Sequence, residues 1–169
     1  IIGSGGSNTT RNLGVYISGS GTSVSASGGT LSITGVATSA ITYGSNYGVL
    51  IESTAKVSAT NSANIIISGI GGNRTSTNAN YGVYLNNKGS INTANGDVVV
   101  TGIGATGSDG IRMDISSSIN STGTGKINLI GSAGNGGSNI YGINVTSSSI
   151  NINNGALAMT CLLYTSDAA

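Results

Sequence analysis

Aliphatic residues in this chain fall at every second position in short runs, and the runs return in the same order five times. The clearest run follows a glycine, as in Asn12-Leu13-Gly14-Val15-Tyr16-Ile17, Asn46-Tyr47-Gly48-Val49-Leu50-Ile51 and Asn80-Tyr81-Gly82-Val83-Tyr84-Leu85. Weaker copies stand at Asp109-Gly110-Ile111-Arg112-Met113 and Tyr141-Gly142-Ile143-Asn144-Val145. A second run is led by Val24, Val57, Ile91, Ile119 and Ile150. A third reads Leu31-Ser32-Ile33-Thr34-Gly35, Ile65-Ile66-Ile67-Ser68-Gly69, Val98-Val99-Val100-Thr101-Gly102 and Ile127-Asn128-Leu129-Ile130-Gly131, with Leu157-Ala158-Met159-Thr160 as a fifth copy without its glycine. Alternation with a period of two is the signature of a strand buried on one face. The pattern therefore predicts three strands per repeat.

Stacking the repeats tests that reading. Two inward positions per strand give 30 positions, of which 28 are aliphatic, Met or Ala; Thr93 and Ser121 are the exceptions. The 15 positions between paired inward residues hold only six apolar or aromatic side chains: Tyr16, Leu50, Ile66, Tyr84, Val99 and Ala158. Burial is one-sided. The same facing makes Val83 a core residue and its neighbour Tyr84 an outward one, whose replacement by Ser is expected to be mild.

Spacing supplies the topology. The landmark glycines Gly14, Gly48, Gly82, Gly110 and Gly142 recur at intervals of about 28 to 34 residues, a period of solenoid type. The step from landmark to second run varies little, from Gly14 to Val24 at one extreme and from Gly142 to Ile150 at the other. The step from second to third run is as steady, as in Val24 to Leu31, Val57 to Ile65, Ile91 to Val98 and Ile150 to Leu157. From the third-run glycine to the next landmark the step is long at Gly35 to Gly48 and Gly69 to Gly82, and short at Gly102 to Gly110. Length thus varies mainly at one corner. Two short turns and one variable turn per repeat predict an all-β, three-sided parallel β-helix of about five coils. Repeats of about 28 to 34 residues exceed a hexapeptide-type coil and favour the right-handed form. At about 4.8 Å per coil, five coils rise about 24 Å.

Composition agrees with ladder pairing. The chain has no Pro, where average usage of about 5% would place roughly eight. Each missing backbone N–H would interrupt a ladder. Gly, Ser, Thr and Asn are expected at tight corners that need positive φ.

The repeat divides the chain into residues 1–160, a β-helix segment interrupted at both ends, and residues 161–169. Ile1-Ile2-Gly3 matches the close of a third strand, one repeat before Gly35. Cys161-Leu162-Leu163-Tyr164-Thr165-Ser166-Asp167-Ala168-Ala169 breaks the composition in register and resembles the translation of a transposase adapter used in short-read sequencing libraries. Excluding it removes the single Cys and Asp167, leaving six Lys and Arg against four acids, a formal charge of +2. So small and scattered a charge does not point to nucleic acid. No apolar run approaches the roughly 18 residues of a helical membrane span.

Candidate chemistry is sparse. With no His and no Cys before residue 161, imidazole triads, thiol nucleophiles and the usual zinc sites are ruled out for residues 1–160. The acids of that segment are Glu52, Asp97, Asp109 and Asp114. Only Asp109, Arg112 and Asp114 cluster; they read either as a catalytic patch or, more simply, as an outward, solvated Arg with flanking acids. Gly71-Gly72-Asn73-Arg74 and Gly136-Gly137-Ser138-Asn139 lack the aspartates of a calcium-binding glycine-rich repeat and read as turns. No cofactor and no metal is expected. Tyr47, Tyr81 and Tyr141 share a column with Leu13 and read as corner packing, with a sugar-stacking strip as the alternative. Tyr16, Tyr84 and Arg112 are the candidate surface-binding residues. Sequons at Asn8, Asn73, Asn120 and Asn144 follow from composition alone.

The Asn-Tyr-Gly-Val and Val-x-Val-Thr-Gly phrases resemble the passenger repeats of secreted bacterial surface proteins, especially filamentous-haemagglutinin-like adhesins and autotransporter passengers. The resemblance covers residues 1–160. It implies an extracellular stalk at the bacterial cell surface, without catalysis, that displays corner loops to surface glycans or proteins. Those loops are residues 36–46, 70–80, 103–109 and 132–140. The other partners it implies are further coils of the same parent chain at both ends. A polysaccharide lyase or hydrolase and a phage tail-spike segment share the expected fold and stay open as alternatives.

Overall fold

The computed structural model describes residues 1–6, 11–38, 45–72, 79–136 and 138–162. Every regular element in them is a strand, and all strand pairs are parallel. The first strands of the repeats are β2 (Val15–Ser18), β5 (Val49–Glu52), β8 (Val83–Asn86), β11 (Ile111–Met113) and β14 (Ile143–Val145). The second strands are β3 (Ser23–Ala26), β6 (Lys56–Ala59), β9 (Ser90–Thr93), β12 (Ser118–Ser121) and β15 (Ser149–Ile152). The third are β4 (Thr30–Val36), β7 (Asn64–Ile70), β10 (Val98–Ile103), β13 (Ile127–Ser132) and β16 (Leu157–Leu162), and β1 (Ile2–Ser4) precedes them in the same sheet.

Each kind of strand pairs only with its own kind in the repeats above and below, giving sheets of five, five and six strands. The chain is a three-sided β-solenoid. Its inner columns run Val15↔Val49↔Val83↔Ile111↔Ile143 and Leu31↔Ile65↔Val98↔Ile127↔Leu157, matching the aligned repeats. The two polar inward residues are buried and satisfied: Thr93 Oγ1 donates to Gly96 O at 2.8 Å and Ser121 Oγ to Gly125 O at 2.7 Å. Gly3 pairs with Gly35, as an offset of one repeat predicts.

Positive-φ corners fall, as expected, at Gly19, Gly21, Gly29, Gly107 and Gly136 and at Ser, Thr and Asn residues such as Ser53, Thr54 and Asn87. The landmark glycines have no positive φ; they are needed for space. A Cβ on Gly48 would meet the backbone of Gly69, Ile70 and Gly82, and one on Gly69 would strike the carbonyl of Gly82. Here two sheets meet backbone to backbone, and only hydrogen fits between them. The left-handed corner residues between first and second strands include Ser53–Thr54, Asn87–Lys88 and Ile115–Ser116, of which Lys88 and Ile115 are outside the expected types. Their amides extend the stacking through the corner, with Thr54 N donating to Asn87 O at 3.0 Å and Lys88 N to Ile115 O at 2.9 Å.

Strand β16 continues past Thr160, pairing Cys161 with Gly131 and Leu162 with Ser132. Cys161 thus stands in the column of third-strand glycines. Residues 163–169 lie outside the described residues.

Candidate ligand-binding face

The chemistry of this chain gathers on the outer face of the first-strand sheet. Alternation sends Tyr16, Leu50, Tyr84, Arg112 and Asn144 outward, and the parallel register places them in one column. Beside it runs the column that precedes each landmark glycine, with Tyr47, Tyr81, Asp109 and Tyr141. The backbone there is tied coil to coil: Gly48 N donates to Tyr81 O at 3.1 Å and Gly110 N to Tyr141 O at 3.1 Å.

What holds that corner in place is a buried amide ladder. Asn46 Nδ2 donates to Asn80 Oδ1 at 2.8 Å, and the backbone N–H groups of Asn12 and Asn46 donate to Asn46 Oδ1 and Asn80 Oδ1, both at 3.2 Å. Asn80 N donates to Ser108 Oγ at 2.9 Å, so the fourth coil continues the ladder with a hydroxyl. Buried polar groups must be paired, and each coil supplies the partner of its neighbour.

Outside this ladder three tyrosines form a compact cluster. The rings of Tyr47 and Tyr81 stack with centroids 5.5 Å apart and planes within 7°. Tyr84 meets both edge-on at 5.1 Å. Leu50, outward by alternation, is nevertheless fully buried between the register partners Tyr16 and Tyr84. Facing alone misassigns it, because an aromatic layer covers this stretch of the outer surface. Burial pushes the Tyr47 hydroxyl above its ordinary range and that of Tyr81 up to about 12. Tyr84 is raised as well, by burial first and then by the Asp114 carboxylate, to which its hydroxyl donates at 3.2 Å.

The fourth coil has Asp109 where the second and third have tyrosine, and Arg112 fills the gap. Its guanidinium carbon sits 5.3 Å from the centroid of the Tyr81 ring, on which it stacks as a cation. Arg112 Nε donates to Asp114 Oδ2 at 2.6 Å and a terminal nitrogen to Asp109 Oδ2 at 3.0 Å. Burial alone would favour the neutral form of Arg112; the Asp114 hydrogen bond and the neighbouring Tyr81, Asp114 and Asp109 reverse this and raise its pKa. Asp109, 2% exposed, also accepts from Tyr141 N at 2.7 Å and Asn144 Nδ2 at 3.0 Å. The solvated arginine expected from the sequence is instead clamped by two carboxylates against a ring, its side chain 27% exposed.

Tyr84 and Arg112 are direct register partners, while Tyr16 lies two coils from Tyr84 with Leu50 between them. Tyr16 is 51% exposed; its hydroxyl donates to Glu52 Oε1 at 2.7 Å, and the Arg11 guanidinium lies 5.8 Å from its ring centroid. Glu52 also accepts from Asn86 Nδ2 at 3.4 Å, while Asn86 Oδ1 is buried without a partner. The expected corner packing of the tyrosine column is split: Tyr47 is buried, Tyr81 half-buried, and Tyr141 is 46% exposed. Chemically, the cluster turns its groups on itself. Asp109 and Asp114 hold Arg112, Arg112 and Tyr47 stack on the Tyr81 ring, and among the described residues Tyr16 and Tyr141 are the rings most open to solvent.

Sequence reasoning placed Tyr47 and Tyr81 in one column but did not bring Tyr84 or Arg112 onto it, and it did not pair Asn46 with Asn80. The signal for the ladder was present: Asn stands two positions before Gly14, Gly48 and Gly82. Among the described residues, no three His, Cys, Asp or Glu side chains are grouped as metal ligands. Of the sequons, Asn144 is bonded to Asp109 and Asn120 lies in β12, while Asn8 and Asn73 fall outside the described residues. Comparison with protein-family models, curated proteins and solved structures finds no match.

Proposed function

We propose that this segment is a stalk of a secreted bacterial surface adhesin, a rigid spacer that carries corner loops for weak, repeated contacts outside the cell. One observation carries the reading. Three ladders run from repeat to repeat in constant register, while the connection from third to first strand changes length, long from Gly35 to Gly48 and short from Gly102 to Gly110. The glycine seam and the asparagine ladder flank that corner on the inside, so a loop can change length without moving the core. Repeat units that touch only their neighbours suit a long display rod, and weak contacts repeated along it accumulate by multivalency. The described part of the corner has a cleft of about 250 Å³ lined by uncharged groups, among them Ile103, Ala105, Thr106, Ala133 and Asn135. That lining suits contact rather than catalysis.

The second reading, an extracellular polysaccharide lyase or hydrolase, rests on Asp109, Arg112 and Asp114. Incubation with neutral and acidic polysaccharides, followed for new reducing ends and unsaturated products, separates the two. The spacer reading expects no turnover; turnover abolished by Asp114→Asn or Arg112→Gln overturns it in favour of the enzyme.

A further inference from the structure

The tripeptide Ser-Ile-Asn occupies the same place in three successive coils, as Ser90-Ile91-Asn92, Ser118-Ile119-Asn120 and Ser149-Ile150-Asn151, in direct register. The isoleucines enter the core, which leaves Ser and Asn on the outer face of the second-strand sheet. There the amides form a one-way chain. Asn151 Nδ2 donates to Asn120 Oδ1 at 2.7 Å, and Asn120 Nδ2 to Asn92 Oδ1 at 2.8 Å. Each amide also donates to the serine two positions before it in its own strand, at 3.1, 3.0 and 3.1 Å.

Counting protons fixes what remains for a ligand. Asn120 and Asn151 commit both amide protons, so their oxygens can only accept. Each serine oxygen accepts from an amide, which orients its own O–H proton away from the ladder as a donor. The face thus repeats one acceptor per coil, with about 10 Å between first and third rungs, and adds hydroxyl donors at half-buried Ser118 and exposed Ser149, while Ser90 is buried. Aligned amides polarise one another and sharpen that pattern. Beside the ladder runs an open cleft of about 440 Å³ lined by Asn92, Asn120, Thr122, Asn151 and Asn153 with Ile152 and Ser121, and no charged side chain.

We infer that this face binds a neutral, linear glycan lying along the solenoid axis, one sugar per coil. A repeating array is best matched by a repeating ligand, and sugar hydroxyls both donate and accept. An ionic polymer would find no counter-charge in this cleft. This assignment deepens the adhesin reading and rests on it by naming a ligand class and a face.

The test uses the whole chain and neutral hexasaccharides of β-glucan, mannan and chitin, with oligogalacturonate as the acidic comparison, followed by NMR on side-chain amides. A neutral hexasaccharide should move the Asn92, Asn120 and Asn151 resonances. Asn120→Asp, which breaks the ladder bonds to Asn92 Oδ1 and Ser118 Oγ and places a negative charge on the outer face, should weaken binding about tenfold or more with the far-ultraviolet spectrum unchanged. Asn128→Ala, outward on the third-strand sheet, should leave it intact. Silence of the three amides with every neutral probe overturns the assignment, as does unchanged affinity in Asn120→Asp or preference for the acidic probe. Failure of the stalk reading gives a different signal, cleavage of the sugar.

Discussion

Three glycines offer a clean test of why this chain is so rich in them. A Cβ on Gly82 would lie 2.7 Å from Gly102 C and 2.7 Å from Gly110 O, and would also meet Ile103 N. All three are backbone atoms of neighbouring strands, so no side chain can swing away. Making room strains the bonds that cross this point: Gly48 N to Tyr81 O at 3.1 Å, Val49 N to Gly82 O at 3.0 Å and Val83 N to Gly110 O at 3.0 Å. At about 1 kcal/mol per bond, with a further 1–3 kcal/mol or so for overpacking, Gly82→Ala should cost about 4–6 kcal/mol. Gly21 has open space but a φ of +83°, so Gly21→Ala should cost about 1–2 kcal/mol through backbone strain alone. Gly28 has neither constraint, and Gly28→Ala should stabilise by about 0.4–1 kcal/mol by restricting the unfolded chain. Urea unfolding followed by far-ultraviolet circular dichroism ranks the three. The reasoning fails if Gly82→Ala proves no less stable than Gly21→Ala, or if Gly28→Ala is as damaging as Gly82→Ala.

Val83→Asp should cost several kcal/mol, because it buries a charge in the aliphatic column with no basic partner. Tyr84→Ser should cost about 2–3 kcal/mol, against the mild effect expected from facing alone, since it removes two edge-on ring contacts and the bond to Asp114; thermal melts in which it matches Tyr16→Ser would refute the cluster. With the Tyr81 hydroxyl raised from 10.0 to about 12, the unfolded chain loses this proton first, so its contribution to stability is complete below pH 10 and falls between about 10 and 12. Urea midpoints across that window, compared with Tyr81→Phe, report it; a parallel pH dependence in the two proteins counts against it. Removing residues 161–169 should take away the rungs at Cys161 and Leu162, including the bond from Ala133 N to Leu162 O at 3.0 Å, and leave β content nearly unchanged; a large drop in β content by circular dichroism would show that the tail supports the solenoid.

The solenoid and its facing were legible in the sequence because strand periodicity and repeat length are local or translational properties. Alternation of Val15, Ile17, Val49 and Ile51 with their neighbours reports burial directly, and stacking in register multiplies that report five times. The landmark glycines could be counted, but not why they are glycine. Their constraint comes from a neighbouring sheet, at Gly69 and Ile70 for Gly48, and separations between sheets leave no period along the chain. The same limit hid the outer cluster. Leu50 looked exposed and Arg112 solvated because each was judged by its own strand, whereas their surroundings come from the adjacent column of Tyr47, Tyr81 and Asp109. Periodicity, being a property of one strand, determined what points inward. Which outward residues are then covered, paired or left open depends on side chains converging from different coils, and only the tertiary structure decides that.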